Sequence, residues 1–154
     1  MKYTRFSITI PIRPKPIQSV SFSGHAYQNT AVKQFKNKIK YHFRKLEPNF
    51  KLIEDESIEF YVEYRYKMAK MPQWMEEYIH VYGLYPKLTN PDVTDNLNKG
   101  LVDALTGEIW KDDSLINTII AKKGYHLKNE IYFEVFVKKY PRNKKELISL
   151  LCPS

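Results

Sequence analysis

Residues Ser57 to Tyr66 read SIEFYVEYRY, with Ile58, Phe60, Val62 and Tyr64 alternating against Glu59, Tyr61, Glu63 and Arg65. A period of two in aromatic and β-branched residues is a strand that turns one face to a core. Upstream, Val32, Phe35, Ile39, Phe43 and Leu46 recur at three- and four-residue intervals, which predicts an amphipathic helix from Gln28 to about Leu46 with lysines on its outer face. Before that, Phe6 to Ile12 (FSITIPI) alternates again and is broken by RPKP, since proline donates no ladder hydrogen bond. Downstream, Met68 to Thr89 reads as an excursion from the core holding a short helix that begins at Pro72. Asp92 or Thr94 caps a helix that runs to Leu105 and stops at Gly107. Glu108 to Trp110 suggests a short strand, and Lys111 to Ser114 a turn. Leu115 to Ala121 and Ile131 to Lys138 read as two strands of a hairpin across Lys122 to Glu130, and Asn143 to Leu151 as a last helix. The order β-α-β-(insert)-α-β-β predicts an α+β fold: one domain over residues 1–154, with a mostly antiparallel mixed sheet and two main helices. A doubly wound parallel sheet needs more helices than this to cover both of its faces.

With 154 residues, 43% of them apolar, the chain is long enough for one real core and short for two. The formal net charge is +8, and its distribution is uneven. Residues 1–46 carry ten Lys and Arg without a single Asp or Glu, and Ala121 to Lys145 carries eight against Glu130 and Glu134. Two basic flanks enclose an acidic centre, which points to a polyanionic partner such as nucleic acid. Cys152 is the only cysteine, so no intrachain disulfide forms. No apolar run approaches the ~20 residues that span a bilayer, and the expectation is a soluble, cytoplasmic protein with no membrane partner. Histidines 25, 42, 80 and 126 lack zinc-site spacing, and no phosphate-binding glycine loop or Ser-His-Asp grouping is present.

The acidic centre is Pro91 to Asp113, PDVTDNLNKGLVDALTGEIWKDD, with six carboxylates against Lys99 and Lys111. On a helix Asp95, Lys99 and Asp103 fall within about an 80° arc, while Leu97, Leu101, Ala104 and Leu105 face the other way. Taken singly these residues have ordinary structural uses: Asp92 and Asp95 as caps, Lys99 and Asp103 as an i,i+4 pair, Asp112 and Asp113 as a solvated turn. Together they suit a metal. The chain has room to fold Asp112 and Asp113 back toward the helix start, where two or three carboxylates with waters and a substrate phosphate would hold Mg²⁺. That is the equipment of phosphodiester hydrolysis, with a lysine to stabilise charge on phosphate.

The run Pro91-Asp92, Asp95-Asn96-Leu97, Lys99, Asp103-Ala104-Leu105 and Asp112-Asp113 resembles the RusA family of Holliday junction resolvases. The resemblance implies a Mg²⁺-dependent homodimeric endonuclease, with Mn²⁺ as a possible substitute ion, that nicks four-way DNA junctions in symmetric pairs. By the same resemblance Asp92, Asp95 and Asp113 are metal ligands and Lys99 is the catalytic cation. The spacing departs at one point: the family separates its first two aspartates by one residue, and here Val93 and Thr94 both intervene. That leaves Asp112 as the alternative to Asp92. Arg13 and Lys15, in the proline-rich turn, and Lys36, Lys40 and Arg44, on the helix, are the expected DNA contacts. Two other readings stay open from the residues alone: a nuclease for flaps or other branched DNA with the same metal site, and a DNA-binding module without catalysis.

Overall fold

A computed structural model describes residues 3–16 and 30–152, with only the backbone of Tyr3 and Asp95. In chain order the elements are β1 (Tyr3–Ile10), α1 (Thr30–Leu46), β2 (Ser57–Lys67), α2 (Gln73–Tyr82), β3 (Tyr85–Pro86), a π-helical turn (Val93–Leu97), α3 (Asn98–Leu105), a 3-10 turn (Asp113–Leu115), β4 (Ile116–His126), β5 (Glu130–Lys138) and α4 (Lys144–Leu151). The strands form one five-stranded mixed sheet in the order β1-β5-β2-β4-β3. Only the β2–β4 pair is parallel; β1–β5, β2–β5 and β3–β4 are antiparallel. This is the expected α+β class, with four α-helices among the described residues. Gln28 and Asn29, the expected start of α1, lie outside the described residues.

The alternation in β2 becomes two faces. Ile58, Phe60, Val62, Tyr64 and Tyr66 are buried against the helices with Ile131, Phe133, Val135 and Val137 of β5 and Ile8 and Ile10 of β1. Phe35, Ile39 and Phe43 of α1, and Leu101, Ala104 and Leu105 of α3, close the core from above. Trp110, fully buried, sets its ring 5.4 Å from that of Phe60 and edge-on to it, and the Phe133 ring lies 5.7 Å from Phe60. The opposite face of the sheet is half-buried and self-paired. There Arg65 bonds Glu63 and Glu130 at 3.0 Å each and lies over the Tyr132 ring, and Arg5 pairs with Glu134.

Two expectations change. Glu108 to Trp110 forms no strand: Trp110 makes isolated bridges to Ile53 and Thr106, because the chain turns at Gly107, whose φ of 87° is a conformation glycine adopts freely. β4 and β5 form no hairpin. β4 continues to His126, so the link shrinks to residues 127–129, and the two strands flank β2 instead of pairing with each other. Strands two places apart are separated by roughly 10 Å, within reach of three extended residues. Asn129, in that link, accepts the Lys67 backbone N–H at 2.8 Å and so satisfies the last donor of β2 as the chain passes over its end.

Phe60 is the hinge of this packing. Phe60→Ala should cost about 3–5 kcal/mol in denaturant unfolding at unchanged slope. A loss under about 1 kcal/mol would mean that the Trp110–Phe60–Phe133 cluster is not what closes the core.

Candidate active site

The acidic stretch begins in a five-residue turn. The Leu97 backbone N–H donates to the Asp92 carbonyl at 3.3 Å, a bond that reaches back five residues, and α3 takes over at Asn98. A π-turn takes up one residue more than an α-turn, so the additional residue between Asp92 and Asp95 is absorbed here without disturbing α3. The Asp92 carboxylate faces forward along the turn: one oxygen accepts the Asn96 backbone N–H at 3.2 Å and the other accepts its side-chain amide at 2.9 Å. Asn98 accepts the hydroxyl of buried Tyr64 at 2.7 Å, which fixes the start of α3 over the middle of the sheet. Lys99 is exposed one residue on. Asp103, also exposed, pairs with Lys36 of α1 at 3.5 Å and not with Lys99.

The second acidic group stands elsewhere. Asp112 caps the 3-10 turn, accepting the Ser114 backbone N–H at 2.8 Å, and that bond holds its carboxyl below the usual carboxylate range. Asp113 follows, exposed, three residues before β4 begins. At the other end of β4 the ammonium of Lys123 reaches the Pro91 carbonyl at 2.6 Å. From Ile116 to Lys123 the strand covers roughly 20 Å at about 3.3 Å per residue. Within one chain, therefore, the Asp112–Asp113 pair and the turn that starts at Asp92 lie toward opposite ends of the same strand. Among the described residues no three His, Cys, Asp or Glu side chains are grouped to hold a metal ion. The described carboxylates near Asp92 and those at Asp112 and Asp113 thus form two separate acidic groups.

The basic residues divide as well. Lys36 faces Asp103, and Arg44 binds Glu108 through both Nε, at 3.0 Å, and Nη2. These two cations fasten α1 to α3 and to the turn beyond it. Lys40 lines a shallow groove of about 480 Å³ with Asn37, Tyr41, Arg44 and Lys45. Arg13 is anchored by the Asn129 side chain at 3.1 Å and lies 5.2 Å over the Tyr66 ring. Lys15 is exposed in the proline-rich turn. Burial pushes the Tyr66 hydroxyl up to about 12, with Arg13 opposing the shift. Lys123 and Lys87 were not singled out from the sequence. Lys87 lies over Tyr66 and Tyr125 at 5.4 and 5.6 Å. The only sequence signal for Lys123 is its parity in β4, which puts it beside Tyr64 on the helix side of the sheet.

If Asp92 acts as the cap of the π-turn, Asp92→Ala should lower stability by about 1 kcal/mol in chemical denaturation. An unchanged midpoint would show that its bonds to Asn96 contribute nothing net.

The model of one protein family, endodeoxyribonuclease RusA, matches residues 11–136. The match runs from the proline-rich turn through the acidic stretch to β5, and takes in both acidic groups. No curated protein matches the chain. RusA nucleases are metal-dependent and act on DNA. With the acidic stretch and its lysine placed as described, and most of the chain covered by that model, the chain belongs to the RusA endodeoxyribonuclease family, the Holliday junction resolvases.

Proposed function

We propose that this resolvase works as a homodimer with Mg²⁺, making paired symmetric nicks in four-way junctions, and that Asp92, Asp95 and Asp113 carry the metal site. The observation that carries the dimer is the separation of the two acidic half-sites along β4. Acidic groups held toward opposite ends of β4 meet at one ion only if the second group comes from another chain. A two-fold dimer then builds two equivalent sites at once, which suits two symmetric cuts in a two-fold junction. Mg²⁺, when bound, supplies a Lewis acid at the scissile phosphate and a bound water of lowered pKa.

The chain's own residues do the remaining work. Lys99 stands exposed one turn beyond Asp95, where its ammonium meets a phosphate or leaving oxygen. Asp112, held ionised by Ser114, keeps negative charge beside Asp113 and is the alternative ligand if Asp92 remains committed to Asn96. Of the three expected contacts on α1, Lys40 is the one outside the Asp103 and Glu108 pairs, which makes it the first of them to meet phosphate. Lys36 and Arg44 would have to leave a carboxylate to take one up.

Cleavage of a labelled four-way junction, compared with a linear duplex and a flap in Mg²⁺ or EDTA, tests the reading. Paired, metal-dependent nicks on the junction alone are expected, and cutting confined to the flap would replace the substrate. Asp95→Asn and Asp113→Asn should each abolish cleavage while leaving or tightening junction binding; parallel loss of binding would point to misfolding. In a salt titration, Lys40→Ala should lower the slope of log K by about 1, while Lys36→Ala leaves it unchanged. Equal changes for the two would contradict the division of cations described above.

A further inference from the structure

We infer that Lys123 is a positioning residue for the reaction, the tether that holds the loop before Asp92 in its working place; the functional part of this inference rests on the nuclease reading above. Among the described residues no backbone–backbone hydrogen bond holds residues 87–91. Two lysine side chains stand in for them. Lys123 donates to the Thr89 and Pro91 carbonyls, both at 2.6 Å, and Lys87 donates to the Asn90 carbonyl at 2.8 Å and to the Thr89 hydroxyl. All three carbonyls from Thr89 to Pro91 are thereby taken by ammonium groups.

The two lysines are not equivalent. Lys87 belongs to the loop it braces and moves with it. Lys123 belongs to β4, paired in register with Tyr64 of β2, so its bonds reference the loop to the sheet. Tyr64 in turn bonds Asn98 at the start of α3. One cross-strand pair, Tyr64 and Lys123, thus fixes both ends of the segment from Pro91 to Asn98, with Asp92 and Asp95 between. An ammonium is a compact donor of three hydrogen bonds, and charge-assisted bonds to carbonyls are roughly twice as strong as neutral ones. Lys123 is half-buried, which protects those bonds from water. The demand on this loop is positional, because displacing a reacting group by about 1 Å costs on the order of 100-fold in rate.

Lys123→Met keeps the unbranched stem to within one atom of its length and removes the donors. Two readouts separate the tether from the nuclease reading. In protein without metal or DNA, amide hydrogen exchange over residues 92–97 should speed up at least about tenfold, the loss of roughly 1.4 kcal/mol of local protection. In single-turnover cleavage of the four-way junction the rate should fall about 100-fold, while the junction Kd in EDTA stays unchanged. Lys123→Arg, which keeps charged donors, should recover part of the rate. Should Lys123→Met not fold, Lys123→Gln, which keeps a shorter, uncharged amide donor, takes its place with the same direction expected. Unchanged exchange and wild-type cleavage would overturn the inference. So would a parallel loss of Kd with a shallower salt slope, which would make Lys123 a phosphate contact. If the wild-type protein cuts no junction, the nuclease reading fails, and the exchange measurement alone decides whether the tether exists.

Discussion

The pairing of β2 along both of its edges is the constraint from which the rest of the structure follows. β5 runs antiparallel on one side and β4 parallel on the other, so the strand has no free edge and its position is over-determined. Its alternation then decides everything above and below the sheet. The buried residues from Ile58 to Tyr66 receive α1, α3 and Trp110, and the intervening Glu63 and Arg65 organise the polar face with β5. The parallel partner matters most for function. Because β4 runs beside β2 in the same direction, the residues just before it and those packed on its end are kept apart by the length of a strand.

That rigid spacing answers the electrostatic problem of the molecule. A chain of net charge +8 that concentrates its carboxylates in one stretch would pay a repulsion penalty if they met without a cation. Among the described residues, no three of their side chains gather at one point. Asp92 turns to Asn96, Asp112 to Ser114, Asp103 to Lys36 and Glu108 to Arg44, each satisfied locally. Carboxylates with partners of their own let the free chain fold without a metal or a phosphate beside them.

Much of this was legible in the residues, and what was missed has a common cause. The period of two from Ile58 to Tyr64 gave the central strand, and the three- and four-residue spacing from Val32 to Leu46 gave α1, because each pattern is a local consequence of backbone geometry. The same local signals said nothing about which strands are neighbours. Ile131 to Lys138 alternates equally well beside β4 or beside β2; Asn129, bonding to the end of β2, decides it. Likewise Asp103 looked like a partner for Lys99 on the helical wheel, but α1 brings Lys36 to it. The π-turn that absorbs the extra residue after Asp92, and the two carbonyls that receive Lys123, depend on contacts between segments some thirty residues apart in the chain. No single-stretch pattern records these.

In the proposed dimer the two acidic half-sites of one reaction centre come from two chains. Complementation measures it most directly: Asp95→Asn and Asp113→Asn proteins, each inactive alone, are mixed, allowed to exchange subunits, and assayed on a labelled four-way junction with Mg²⁺. A mixed dimer with shared sites keeps one site in which both aspartates are intact, so nicking should return. If each chain built its own site, both sites of the mixed dimer would be broken, and a mixture as inactive as its components would contradict the account.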